Sequence, residues 1–202
     1  LMIGYKSSVR NKVVDRIRGT ANVDRDFTAQ NVITQVSPIG LEAFRASGSF
    51  VDTSATADEI GLEIHQTVTV FSDEGHQDYI ILEYEVINKS GQDLDSVFVG
   101  YFADWDIEDP SKNRGQTVYP VKLGYAKNIY LNEFCAGIQL LSDQQFNSYM
   151  IDNGYDGAGG INPNDGDRFS SDDKFEALSK NRYEAGTMSG GNDVIQVLST
   201  KG

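Results

Sequence analysis

Strict alternation of apolar and polar positions marks the middle of the chain. In "GLEIHQTVTVF" (61–71), Leu62, Ile64, Val68 and Val70 share one face. Glu63, His65, Thr67 and Thr69 share the other. This period of two is that of a strand with one wet face. The turn "DEGHQD" follows, and "DYIILEYEVIN" (78–88) alternates again, with Ile80, Leu82, Tyr84 and Val86 opposite Glu83 and Glu85. After the turn "KSGQDLD" comes "SVFVGYFAD" (96–104), apolar on both faces. Such a strand belongs in the centre of a sheet, covered on both sides. Three strands joined by polar turns predict an antiparallel meander, with Val97 to Ala103 as its interior member.

The flanks are less regular. "NVITQVSP" (31–38) reads as a strand ending at Pro38, and 41–61 as one strand followed by a small-residue loop. Further strands are expected near Lys122–Ala126, Asn128–Leu131, Ala136–Leu141 and in "DVIQVLST" (193–200). Residues 143–169, rich in Gly, Asn and Asp, read as a long loop. One short helix is predicted near residues 171–181, where Ser170 or Ser171 can cap and Asp172 and Asp173 sit in the first turn. The fold class is all-β: an antiparallel β-sandwich with one short helix. Residues 1–30 are expected as an extended lead-in with one short element near Val13–Ile17, and residues 31–202 as the sandwich domain. The Leu before Met2 and the mid-strand ending at "VIQVLSTKG" suggest a piece of a longer chain.

Composition narrows the function. The 202 residues carry 30 Asp and Glu against 17 Lys and Arg, a net charge of -13. Phosphates would repel such a surface, so nucleic acid and anionic lipid are poor partners. No apolar run approaches the roughly 20 residues of a membrane span. The single cysteine, Cys135, excludes an internal disulfide and a Cys-rich zinc site, and "NEFCAGIQLL" predicts it buried.

Four kinds of chemistry deserve weighing. Nucleophilic hydrolysis lacks its signatures: no G-x-S-x-G, no H-E-x-x-H, and no serine in catalytic context beside His65 or His76. Paired carboxylates stand in "ADWDIEDP", where Asp104 and Asp106 flank Trp105, the only Trp. On a continuing strand their Cβ atoms lie roughly 7 Å apart. The pair can bond backbone N–H groups of the turn while Trp105 plugs the end of the sandwich, hold a cation, or act as a glycosidase pair. Oxygen ligands for a structural Ca²⁺, the one cofactor suggested, are Asp104, Asp106, Asp109, Asp152, Asp156, Asp165 and Asp167. The loop from Asp152 is no EF-hand, because Gly154 takes its third position and Pro163 its twelfth. Finally, Tyr119, Tyr125, Tyr130, Tyr149 and Tyr155 could form a sugar platform, or simply reflect the preference of Tyr for strands.

The run "DYIILEYEVINKSGQDLDSVFVGYFADWDI" (78–107), with "LGYAKN" (123–128) and "DDKFEALS" (172–179), resembles a β-sandwich region downstream of the protease domain in secreted subtilisin-like (S8 family) peptidases of Bacteroidetes-type bacteria. The D-W-D after the strand is its most distinctive part. That family's catalytic Asp, His and Ser belong to an upstream domain whose motifs are not found here. The resemblance therefore implies a non-catalytic accessory module, secreted or on the cell surface. Its partner would be the upstream domain of the parent chain, or an extracellular protein or glycan. The alternative is a carbohydrate-binding or carbohydrate-active sandwich using the Asp104/Trp105/Asp106 turn.

Overall fold

The computed structural model describes residues 1–17, 25–38, 40–131, 134–153, 161, 169–187 and 190–202. Asp156, Asp165, Asp167 and Tyr155 lie outside the described residues. Among the described residues the protein is mostly β, with three antiparallel sheets and one α-helix. It divides into two compact units: Leu1–Asp24 with Asp95–Gly202, and Arg25–Leu94. In chain order, β1 (Met2–Lys6) and β2 (Asn11–Asp15) open the first unit. The second unit holds β3 (Thr28–Ala29), β4 (Thr34–Val36), β5 (Glu42–Val51), β6 (Leu62–Phe71) and β7 (Ile80–Asn88). The first unit resumes with β8 (Val97–Trp105), β9 (Asn113–Val118), β10 (Leu123–Asn128), β11 (Cys135–Gln139) and β12 (Phe146–Asp152). The helix α1 (Ser171–Ser179), β13 (Glu184–Ala185) and β14 (Val194–Lys201) complete it.

In the first unit a five-stranded sheet runs β12-β14-β8-β1-β2 and a four-stranded sheet β11-β10-β9-β13. β8 is interior as expected, but its neighbours are β14 and β1 rather than β7, so the predicted meander stops after β7. A strand apolar on both faces needs cover on both, and the two ends of the chain supply the strands beside it. One face of the sheet receives α1. Gly4 and Gly100 leave room there, for a Cβ at either would stand 2.7 or 2.5 Å from Leu178. Phe98 meets Phe175 edge-on at 5.6 Å, and Tyr149, Ile151, Ile195 and Val197 complete that core. The other face meets the four-stranded sheet, where Met150, Val194 and Ala185 cluster. The helix falls within the predicted region, and Ser170 with Asp173 forms a capping box.

The structure corrects four expectations. The lead-in is extended but not peripheral: β1 and β2 are paired strands, β2 overlapping the short element expected near Val13–Ile17, and Met2, Ile3, Val13 and Val14 are core residues. The 143–169 loop is interrupted by β12, every residue of which is buried. Its polar residues are satisfied inside: Asn147 donates to the Leu178 carbonyl at 3.2 Å and Ser148 shares a 2.8 Å bond with Thr117. Neither Asn128–Leu131 nor the start of β11 follows expectation entirely. Asn128 ends β10 and a bend follows, while Cys135 is exposed. β11 is an edge strand whose Ala136 and Ile138 take the inward positions, which leaves Cys135 facing water opposite Lys127.

The second unit is a single twisted sheet ordered β3-β5-β6-β7, with β4 also on β5. The turn of 72–79 sets the register Val70↔Ile80 to Leu62↔Asn88. Ala46, Ile60, Leu62 and Ile64 are buried on one face. Asp52, itself buried, accepts backbone N–H bonds from Ile60 (2.7 Å), Gly61 (3.0 Å) and Leu62 (2.8 Å), fixing the 3-10 turn at Thr53–Asp58 against the start of β6.

Candidate functional site

The polar face of the second unit carries a shallow open groove of about 560 Å³. Cross-strand register builds its floor. Ser47 opposes Thr67, Ser49 opposes His65, and His65 opposes Glu85. Asn31, Val32 and Thr34 border it on the β4 side. Ser49 is buried and its Oγ accepts from Asn31 Nδ2 at 2.8 Å. His65 lies between two carboxylates: Nε2 is 2.7 Å from Glu63 Oε1 and Nδ1 is 3.3 Å from Glu85 Oε2. The bond from His65, with help from Lys89 at 3.4 Å, holds the Glu63 carboxyl below its ordinary pKa. The alternation in the sequence put His65 and Glu63 on this face. It could not reveal that a serine faces His65, because that depends on the pairing of β5 with β6.

The register also brings a serine and carboxylates to this histidine. Ser49 is the serine opposite His65, yet both ring nitrogens of His65 point to glutamates. A base for Ser49 would have to turn one nitrogen to its Oγ. His76 is likewise engaged, at 2.7 Å from Asp73 Oδ2 and packed with Phe71 and Tyr79.

The acidic end of β8 forms a second polar cluster, within the first unit. Trp105 is half-buried and donates its indole N–H to Gln196 Oε1 at 2.9 Å. Gln196 is fully buried between the two sheets, and only a glycine at 124 fits beside it, since a Cβ there would stand 2.3 Å from its Nε2. Trp105 thus plugs the space between the sheets, as the structural reading of D-W-D expects. The turn itself is held otherwise. Asn113, wholly buried, bonds both the N–H (2.9 Å) and the carbonyl (2.8 Å) of Ile107 and the carbonyl of Asp109 (2.9 Å). Nothing in the sequence singles Asn113 out, because its partners are backbone atoms across a bend.

The seven candidate cation ligands separate accordingly. Asp109 caps a short 3-10 turn by accepting from Ser111 N (3.1 Å) and Oγ (2.7 Å). Asp152, buried, is bound by Arg182 Nη2 (2.5 Å), Gly186 N (2.6 Å) and Asn192 Nδ2 (3.4 Å). Both therefore hold the fold. Asp104 and Asp106 are exposed, and the structure adds Asp193 to them. Partial burial, then the charges of Asp193 and Asp106, push Asp104 up to about 6. Burial, then Asp106, raises Asp193 as well, against the 2.8 Å bond it accepts from Asn153. Among the described residues, no three His, Cys, Asp or Glu side chains converge as a metal centre.

Three of the described candidate tyrosines have separate surroundings. Tyr119 meets Tyr183 edge-on at 6.1 Å, Tyr125 bonds Gln116 at 2.9 Å, and Tyr149 is buried. Among the described residues, no helix is long and apolar enough to cross a membrane. The fold and its sites define an all-β, sandwich-like protein with one helix and a polar groove on a separate sheet. Compared with protein-family models, curated proteins and solved structures, the chain matches none.

Proposed function

We propose that this chain is a non-catalytic accessory module of a secreted or cell-surface bacterial protein, attached to a subtilisin-like peptidase and binding an extracellular target. The observation that carries the reading is the use made of its reactive side chains. Each histidine is engaged with carboxylates, Asp52, Asp109 and Asp152 hold backbone or an arginine, and Trp105 is turned inward to Gln196. A hydrolase also needs a base within reach of a nucleophile or of the substrate, and here the hydrogen bonds of these groups run to other partners. The indole N–H of Trp105 is committed to Gln196, which weighs against a glycan-binding turn. The resemblance over Asp78–Ile107, Leu123–Asn128 and Asp172–Ser179 supports the peptidase connection.

The test is a substrate panel. Peptide and glycoside substrates are incubated with the chain at several pH values, with and without Ca²⁺, beside the Ser49→Ala, His65→Ala, Asp104→Asn and Asp106→Asn variants. No turnover is expected. Turnover that disappears in any of these variants overturns the reading, and Asp104 or Asp106 dependence would restore the glycosidase alternative. The coding sequence around this chain tests the attachment: a subtilisin-like domain upstream is expected, and a complete parent without one refutes it.

A further inference from the structure

The edge of the second unit points to a partner. β7 pairs with β6 along nine residues without a register shift, and among the described residues no strand pairs with its other side. It contains no proline and no bulge, two devices by which edges are usually blunted. What remains is charge. Glu83 and Glu85 stand two apart on one face, their side chains 61% and 71% exposed. Arg45 reaches Glu83 only at 3.9 Å, and Glu85 keeps most of its surface in water although His65 Nδ1 stands 3.3 Å from it. On the opposite face Leu82, Tyr84 and Val86 are half-buried, while Ile80, expected in the same row, is exposed.

These features select among occupants. A second copy pairing antiparallel over the full length of β7 is centred on Tyr84 and sets Glu83 against Glu85 of the other copy. Like charges directly opposite are destabilising in a sheet. An extended segment with Lys or Arg at alternate positions meets the opposite situation. Its basic side chains fall on the Glu83 and Glu85 face, and its intervening apolar side chains extend the row of Leu82, Tyr84 and Val86. On the Glu83 and Glu85 face the groove begins at Glu85 and continues over His65, Thr67, Ser47 and Ser49. A guanidinium reaching past Glu85 therefore meets the hydroxyls of Thr67 and Ser47.

We infer that β7 is an addition site for an extended protein segment of alternating basic and apolar residues, which joins the sheet as a new edge strand. The inference rests on the target-binding reading above and names the chemistry of the target. Fluorescence anisotropy of a labelled short Arg-Val alternating peptide tests it on the whole chain. Saturable binding is expected. Glu83→Gln with Glu85→Gln should weaken it about tenfold, the scale of one or two lost charge contacts, with an unchanged circular dichroism spectrum. The same peptide N-methylated at alternate residues keeps its charge but cannot complete a ladder, and should not bind. Equal binding of the methylated peptide would mean charge attraction alone and overturn strand addition. Binding indifferent to the two glutamates would overturn the location, and no binding of the unmodified peptide would overturn the proposal. Self-association in sedimentation that the double Gln variant strengthens, with no peptide binding, would assign the edge to a second copy instead. Hydrolysis in the substrate panel would sink the accessory-module reading while leaving peptide capture measurable, so the two failures are distinguishable.

Discussion

At the scale of single residues, Asp104 shows how crowding sets a property that its neighbours in the sequence do not. Trp105 and Asp106 stand beside it in the chain, but Asp193 arrives from the far end through the pairing of β14 with β8. The Asp104 pKa of about 6 in the folded protein lies above the ordinary value of 3.8. The folded state then binds more protons than the unfolded state between those values, so this group lowers stability as pH rises from about 4 to about 6. Asp104→Asn removes the crowded charge. Its melting temperature should exceed that of the wild type at neutral pH, and the two should converge below about pH 4, where both states are protonated. Thermal melts across that range check the sign. A variant less stable than wild type at neutral pH would show that Asp104 is favourably paired, as with a bound cation.

At the scale of elements, α1 is fixed by more than its apolar face. Lys174 is 2% exposed, and its Nζ lies 2.9 Å from Oδ2 of the fully buried Asp15 on β2. The ammonium also sits 5.7 Å from the centre of the Phe169 ring. This ion pair staples the helix to a strand that the sequence presents as part of a polar lead-in. Lys174→Met should cost about 3 kcal/mol or more, because it leaves the Asp15 charge buried without its ammonium. Adding Asp15→Leu to that variant should recover most of the loss, since an apolar pair of similar volume is often neutral in such places. Urea melts of the three proteins decide it; a double variant no better than the single would mean that Asp15 works chiefly through its 2.6 Å bond to the Ile17 N–H.

At the scale of the whole molecule, the two units differ in the depth of their cores. β12 and β14 are buried on both faces between α1 and the four-stranded sheet. In the second unit the burial of β6 is firm at Leu62 and Ile64 and thins toward Phe71, and β7 has no fully buried residue. Local opening follows buried contact, so amide hydrogen exchange should be slowest in β12 and β14 and measurably faster throughout β6 and β7. Equal protection in both units would mean that they open as one cooperative body. The resemblance in the sequence runs from β7 into β8 and so crosses the boundary between the units at Leu94 and Asp95.

The sequence by itself determined the all-β class, the helix with its Ser170 cap, the alternation of β6 and β7, and the interior character of β8. Each is written locally, in a period of two, a capping pattern, or a run apolar on both faces. It also placed Glu63, His65 and Thr67 on a polar face, but Thr69 of the same set is buried. Only the tertiary structure decided which strands lie beside β8, because pairing partners from the chain ends leave no local mark. It alone made β12 a core strand, since Asn147, Ser148 and Asp152 look like loop residues until Leu178, Thr117 and Arg182 bond them. It joined Ser49 and Glu85 to His65, and Asp193 to Asp104. Those juxtapositions depend on register between strands, where a shift of one residue would turn every side chain to the other face.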